Sequence, residues 1–161
     1  MARARIGIGH DIHRLVPGRT LTLGGVTVPA GVGFATPSDG DVLSHALIDA
    51  LAGALGHGDM GRYFPADSDP AAHGARSVDY VARMAEHLRA EALAIEHVDS
   101  LVTLGTVRLG PQLEAMRATL AGALGVPLER VSVKARSNDG IGPEGRGEAA
   151  AATVTLLLAP A

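Results

Sequence analysis

A chain of 161 residues, 47% hydrophobic and with a formal net charge of −3, reads as one domain over 1–161 that can bury a core. Without a basic stripe, and with two Tyr, two Phe and no Trp, it lacks what a nucleic-acid partner demands. No apolar run is long enough to span a bilayer and no signal-peptide pattern opens the chain, so the expected location is the cytoplasm. The absence of cysteine excludes disulfides and thiolate ligands, which leaves N and O donors for any metal.

In chain order, Ile6, Ile8 and Ile12 predict a strand over 5–14, and the alternation around Gly24-Gly25 predicts a hairpin over 20–29. Residues 30–41 read as a loop. Asp41 caps a helix whose Leu43, Leu47, Leu51 and Leu55 recur at helical spacing until Gly56 and Gly58 end it. The Gly-, Pro- and Asp-rich stretch 58–70 reads as a long irregular loop, of a kind that either binds something or is disordered. Helical spacing returns over 77–91, followed by a strand over 98–107, a helix opened by Pro111 and closed by Gly125, a short strand over 131–135 and a closing strand over 149–158.

Two segments carry chemistry: Gly-His-Asp-Ile-His at 9–13 and Ser-Asp-Gly-Asp-Val-Leu-Ser-His at 38–45. Period two puts Asp11 and His13 on one face of the first strand, and His45 falls in the first turn of the following helix. Any one histidine of this chain, taken alone, reads as an ordinary surface or core residue. As a trio, Asp11, His13 and His45 supply three ligands, the number a zinc site uses when its fourth position is kept for a reacting group.

The closing strand is apolar on both faces near its end. Helices can cover one face, and no element remains for the other, so a ring-like homo-oligomer packed sheet to sheet is expected, against the alternative of a monomer enclosed by its own loops.

The Asp-x-His start, the Ser-Asp-Gly-Asp-Val-x-x-His helix entry, Gly-Asp-Met-Gly with Phe-Pro and Asp-Ser-Asp-Pro after it, and Gly-Arg-Gly-Glu at 145–148 together resemble the 2-C-methyl-D-erythritol 2,4-cyclodiphosphate synthases of the non-mevalonate isoprenoid pathway. The resemblance covers essentially the whole chain. It implies an α/β (α+β) ferredoxin-like sandwich, with a mainly four-stranded sheet, helices on one face and a small hairpin. It also implies a homotrimer with active sites between neighbours. The implied reaction is attack of the 2-phosphate of 4-diphosphocytidyl-2-C-methyl-D-erythritol 2-phosphate on its β-phosphorus with departure of CMP, a phosphorus-oxygen lyase chemistry. Positioning and charge neutralisation carry such a step.

By the same resemblance Asp11, His13 and His45 hold Zn²⁺, and Asp139, where the family usually has Glu, holds a second cation, Mg²⁺ or Mn²⁺. Asp59, Met60 and Gly61 meet the erythritol part, and Asp67 and Asp69 belong to the substrate loop. Leu104 to Gly110, with Arg108 in place of the usual Lys, forms the cytosine pocket. Ala135, Arg136, Ser137 and Asn138 line the nucleotide, Ser137 retaining a catalytic hydroxyl. Ser38 contacts phosphate beside Pro37, which replaces a His common in the family. Pro143 replaces a Phe near the trimer axis, and Arg146 and Glu148 read as a salt-bridged pair tying subunits together, alongside a ligand role. Two other classes share the ligand set: a zinc-dependent hydrolase of a phosphate ester, which would want a carboxylate base of a kind no His-Glu-x-x-His motif supplies here, and a non-catalytic trimeric metal-binding module.

Overall fold

The structure, a computed structural model, describes residues 4–65 and 75–161. Strand β1 (Arg5–Pro17) turns Gly7, Gly9, Asp11, His13 and Leu15 to one side and Ile6, Ile8, His10 and Ile12 to the other, as period two requires. The predicted hairpin is present as β2 (Leu21–Leu23) and β3 (Val26–Val28), joined through Gly24 and Gly25. Helix α1 (Val42–Leu55) starts at the Asp41 cap and stops at Gly56, whose φ of 75° is left-handed. Then come α3 (Ser77–Ala90), β5 (Leu93–Thr103), α4 (Leu113–Leu124), β6 (Val131–Arg136) and β7 (Ala149–Pro160).

Four long strands and the short β4 (Val32–Phe34) form a five-stranded sheet in the order β4-β1-β7-β5-β6. Among the described residues only β5 and β6 run parallel; every other pairing in this sheet is antiparallel. The fifth strand, β4, lies in a stretch expected to be loop and pairs with Leu15–Pro17, which extends β1 beyond its predicted end. Three residues are too few for alternation to be read. Two one-turn helices were likewise unexpected: α2 (Met60–Tyr63), inside the stretch predicted as a loop, and α5 (Gly142–Gly145). Strand β5 begins five residues before the predicted 98, because a bulge between Ile95 and His97 breaks the alternation, and it ends at Thr103. Beyond Thr103 the chain turns away, with the Leu104 and Gly105 N–H groups donating to Arg136 and Glu144 carbonyls.

Helices α1, α3 and α4 cover one face of the sheet. Leu47, Ile48 and Leu51 of α1, Met84 and Leu88 of α3, and Met116 and Leu120 of α4 are buried there against Val98, Val102, Val154, Leu156 and Leu158. Each such side chain contributes roughly 1.5–3 kcal/mol on burial. Among the described residues nothing covers the opposite face in this way: Ile6 is 77% exposed and Ile8 67%, with Ile12 and Leu157 also exposed. The apolar surface there belongs mainly to β1; β7 itself presents Thr153 and Thr155 on that side, so it is less apolar on its second face than expected. Among the described residues no helix is long and apolar enough to cross a membrane.

Candidate metal centre and substrate site

Helix α1 is anchored at its first turn by Asp41. Its buried carboxylate accepts the N–H groups of Leu43 and Ser44 and the Ser44 hydroxyl, and also the N–H groups of Gly24 and Gly25 in the hairpin turn. That fixes the start of α1 against the β2–β3 turn and so the position of His45, one turn in. On the strand side, Gly9 allows the α1 backbone to lie directly on β1, since a Cβ there would stand 1.9 Å from the Ala46 carbonyl oxygen.

The result is a compact donor group. Asp11 Oδ2 lies 2.9 Å from His45 Nδ1 and 3.3 Å from His13 Nε2, and one ligand atom from each of the three residues falls within 4.8 Å of the others. His13 Nδ1 lies 3.0 Å from the Gly40 carbonyl, to which it donates, so its Nε2 is turned toward Asp11. The His45 side chain is 11% exposed and the other two 24%. Burial opposes charge on Asp11, but the hydrogen bond from His45 and the two nearby rings outweigh it and hold the carboxyl below its usual range. For His45 burial disfavours the imidazolium, and the Asp11 carboxylate more than compensates, raising its proton affinity. One carboxylate and two imidazoles with an open side fit a borderline divalent ion bound through three protein ligands.

A second feature is a cavity of about 700 Å³ whose walls include Leu104, Arg108, Leu109, Ala135, Arg136 and Ser137. Two guanidinium-bearing residues beside apolar walls suit a ligand with an anionic part and a flat, weakly polar part. Within one chain this cavity is not adjacent to the metal group. Asp11 pairs with Ala152, Ala152 with Val102 and Val102 with Ala135, so Asp11 and Ala135 share one row of the sheet. Three strand spacings separate them, about 14 Å.

Residues 4–159 match the YgbB family. The chain belongs to that family. It is 47% identical to the 2-C-methyl-D-erythritol 2,4-cyclodiphosphate synthase of Burkholderia ambifaria over 157 residues, 98% of this chain and 97% of that one. With the synthase of Gloeobacter violaceus it shares 46% identity over 154 residues, 96% and 94% of the two chains. Among solved structures, a 2C-methyl-D-erythritol-2,4-cyclodiphosphate synthase in its CDP-bound form superimposes with a TM-score of 0.88 at 34% identity, covering 96% of this chain and all of that one. The bifunctional IspDF of Campylobacter jejuni gives a TM-score of 0.93 at 30% identity, covering all of this chain and 43% of the longer protein.

The other described residues expected in a YgbB-family site fall into four places. Asp59 caps α2 by accepting the Gly61 N–H, with Met60 between them at the start of that turn. Pro37 and Ser38 lie in the loop before α1, where Ser38 Oγ accepts the Gly40 N–H. Ser137, Asn138 and Asp139 follow β6, the last two at φ of 56° and 51°, left-handed conformations that Asn and Asp tolerate better than most. Asp139 is exposed and lies outside the Asp11–His13–His45 group. Pro143 is exposed in α5, and Arg146 pairs with Glu148 at 2.7 Å within the chain, while the Glu148 carbonyl accepts the Leu15 N–H. Asp67 and Asp69 lie outside the described residues.

Sequence reasoning missed three polar residues around the metal group: Asp39, Asp49 and Ser77. Asp49 stands one helical turn after His45 and accepts the Met60 N–H at 2.7 Å, which ties the Asp59–Gly61 turn to α1. Burial raises its pKa; the Met60 N–H opposes this, and the nearby Asp59 and Asp11 carboxylates add to the rise. The i, i+4 spacing of His45 and Asp49 was a readable signal that both share a helix face.

Proposed function

We propose that the Asp11–His13–His45 group and the Arg108–Arg136 cavity are the two halves of one active site, completed by neighbouring copies of the chain. The activity is formation of 2-C-methyl-D-erythritol 2,4-cyclodiphosphate from 4-diphosphocytidyl-2-C-methyl-D-erythritol 2-phosphate, with release of CMP, in isoprenoid-precursor biosynthesis. A 2-phosphate oxygen bonds to the β-phosphorus as the bond from that phosphorus to the CMP oxygen breaks, which makes the enzyme a phosphorus-oxygen lyase. The observation that carries the reading is the donor trio, one carboxylate and two imidazoles converging at the start of α1.

Asp11, His13 and His45 would hold Zn²⁺ and Asp139 Mg²⁺ or Mn²⁺, and bound there the cations supply charge neutralisation and orientation of the phosphate oxygens. The chain's own groups do the rest. Asp59 is placed to accept erythritol hydroxyls, Gly61 lets the backbone approach, and Ser38 and Ser137 offer hydroxyls to phosphate. Arg108 and Arg136 receive the nucleotide, with Leu104, Ala135 and Asn138 around it; the CDP bound in a synthase of the same fold supports this. We assign Asp67 and Asp69 to the substrate loop, and Pro143 and Arg146 to the axis side of the site.

A homotrimer of ferredoxin-like subunits, packed through the open sheet face, is the assembly we propose. The exposed Ile6, Ile8, Ile12 and Leu157 support it, as does the separation of the two half-sites within a chain. We take 1–161 as a single synthase domain. A charged nucleotide substrate does not cross a membrane unaided, so the proposed place of action is the cytoplasm. Phosphorus NMR of the product decides the chemistry: equal amounts of CMP and cyclic diphosphate are expected, whereas inorganic phosphate or a linear diphosphate would establish the hydrolase instead, and no turnover the metal-binding module.

A further inference from the structure

His45 touches a second polar chain on the side of its ring facing away from Asp11. Its Nε2 lies 2.8 Å from Ser77 Oγ. Ser77 is the first residue of α3, is 1% exposed, and hydrogen-bonds twice to one carboxylate: its hydroxyl donates to Asp39 Oδ1, and its backbone N–H donates to Asp39 Oδ2 at 2.8 Å. Three segments distant in sequence, the loop before α1, α1 itself and the start of α3, thus meet at one imidazole.

Proton counting fixes the direction of this chain. A serine hydroxyl has one hydrogen, and an ionised carboxylate can only accept. With that hydrogen committed to Asp39, Ser77 faces His45 as an acceptor, and Nε2 must carry the hydrogen between them. Nδ1 faces the Asp11 carboxylate, which also only accepts, so without a metal a hydrogen sits there too, and that hydrogen is the one a metal ion would replace. His13 is set in the opposite sense, its Nδ1–H held by the Gly40 carbonyl and its Nε2 turned to Asp11. Two imidazoles of one centre are therefore oriented by two different acceptors, each leaving for the metal the nitrogen that points inward.

From this geometry we infer that Ser77 and Asp39 are positioning residues that hold His45 as its Nε2–H tautomer with Nδ1 presented for metal binding. The inference rests on reading Asp11, His13 and His45 as the metal centre. It also ties the start of α3 to the readiness of that centre.

Ser77→Ala tests it with little disturbance of the fold, because the backbone N–H bond from residue 77 to Asp39 survives. Zinc affinity, measured by chelator competition on the purified oligomer, is expected to fall about 10- to 100-fold, the usual effect of losing an outer partner of a metal-bound histidine. Ser77→Thr, which restores the hydroxyl, is expected to bind zinc within a few-fold of the parent. Long-range proton–nitrogen NMR of the zinc-loaded protein should show His45 as the Nε2–H form, bound through Nδ1, in the parent and a mixture of Nδ1- and Nε2-bound forms in Ser77→Ala. If Ser77→Ala binds zinc as tightly as the parent and keeps His45 in the Nε2–H form, the positioning role is overturned while the metal centre stands. If the parent itself binds no zinc, the metal centre falls and the inference falls with it.

Discussion

Gly9 and Ala46 meet with no room for a side chain between them: a Cβ on Gly9 would lie 1.9 Å from the Ala46 carbonyl oxygen and 2.8 Å from the Ala50 N. Gly7 makes the same kind of contact one step earlier, 2.0 Å from the Ala50 carbonyl oxygen. The glycines of β1 thereby set the distance between strand and helix, and that distance brings His45 onto Asp11. Because the obstructing atoms are helix backbone, Gly9→Ala has to push α1 off the sheet. Overpacking of this kind costs about 1–3 kcal/mol, more than the few tenths to 1 kcal/mol gained by restricting the unfolded chain. We expect thermal unfolding to come several degrees lower and bound zinc to drop below one per chain. An unchanged melting temperature with full zinc content would show that the close approach does not set the site.

A pH dependence follows from the Asp11–His45 pair when no metal is bound. The proton affinity of His45 is raised above its ordinary 6.5, so its contribution to stability is complete below that value and is lost as pH rises through the folded one. The Asp11 carboxyl lies below its ordinary 3.8, so its contribution is complete above that value and is lost as pH falls through the folded one. The pair therefore stabilises most between these limits. Metal-stripped protein should melt higher at pH 5.5 than at pH 8 by more than the His45→Ala variant does, and the gain in melting temperature on adding zinc should grow toward pH 8 because zinc competes with the Nδ1 proton. Scanning fluorimetry with and without chelator at the two pH values checks both; equal pH slopes in parent and variant would remove the pair from the account.

What the sequence showed clearly was local. The Asp41 cap, the leucine spacing and Gly56 lie within 16 residues of one another and delimit α1, and period two alone put Asp11 beside His13. Strand β4 and helix α2 span three and four residues, too short for any period, and the bulge at Ile95/His97 hid the start of β5. Ser77 bonds His45 across 32 residues, a pairing that no local spacing encodes and that only the packing of α3 on α1 creates. Residue spacing likewise did not show how far the metal group lies from the Arg108–Arg136 cavity, since that distance depends on β7, last in the chain, inserting between β1 and β5.

Asp49 should act on substrate binding more than on the metal. Its carboxylate holds the Met60 N–H at 2.7 Å, and Met60 follows Asp59 at the start of α2. A hydrogen bond to a charged acceptor contributes about 1.5–3 kcal/mol. Asp49→Ala releases the turn that presents Asp59 and Gly61, so KM for the nucleotide substrate is expected to rise roughly tenfold or more if that energy is spent in ordering the turn. Zinc content should stay at the parental level, since His45 keeps its own partners. Steady-state kinetics together with metal analysis decide this: a loss of zinc with unchanged KM would place Asp49 in the metal centre instead.

The sharpest test of a shared site is complementation between defective chains. One variant, His45→Ala, removes a ligand from the metal half; another, Arg108→Ala with Arg136→Ala, removes both cations from the nucleotide cavity. Each is expected to be nearly inactive alone while remaining oligomeric, because neither change touches Ile6, Ile8 or Ile12 on the open sheet face. If each site takes its metal half from one chain and its nucleotide half from the next, refolding the two variants together in equal amounts lets an intact metal half meet an intact nucleotide half. Each half is intact with a chance of one in two, so about one quarter of the sites regain function in a randomly mixed ring. A site formed within a single chain has no such route, since every chain in the mixture carries one defect. CMP release near a quarter of the parental rate after co-refolding, and none after simple mixing of assembled oligomers that do not exchange, is the expected result. Persistent inactivity in mixed oligomers confirmed by native mass spectrometry would place the whole site within one chain and end the composite reading.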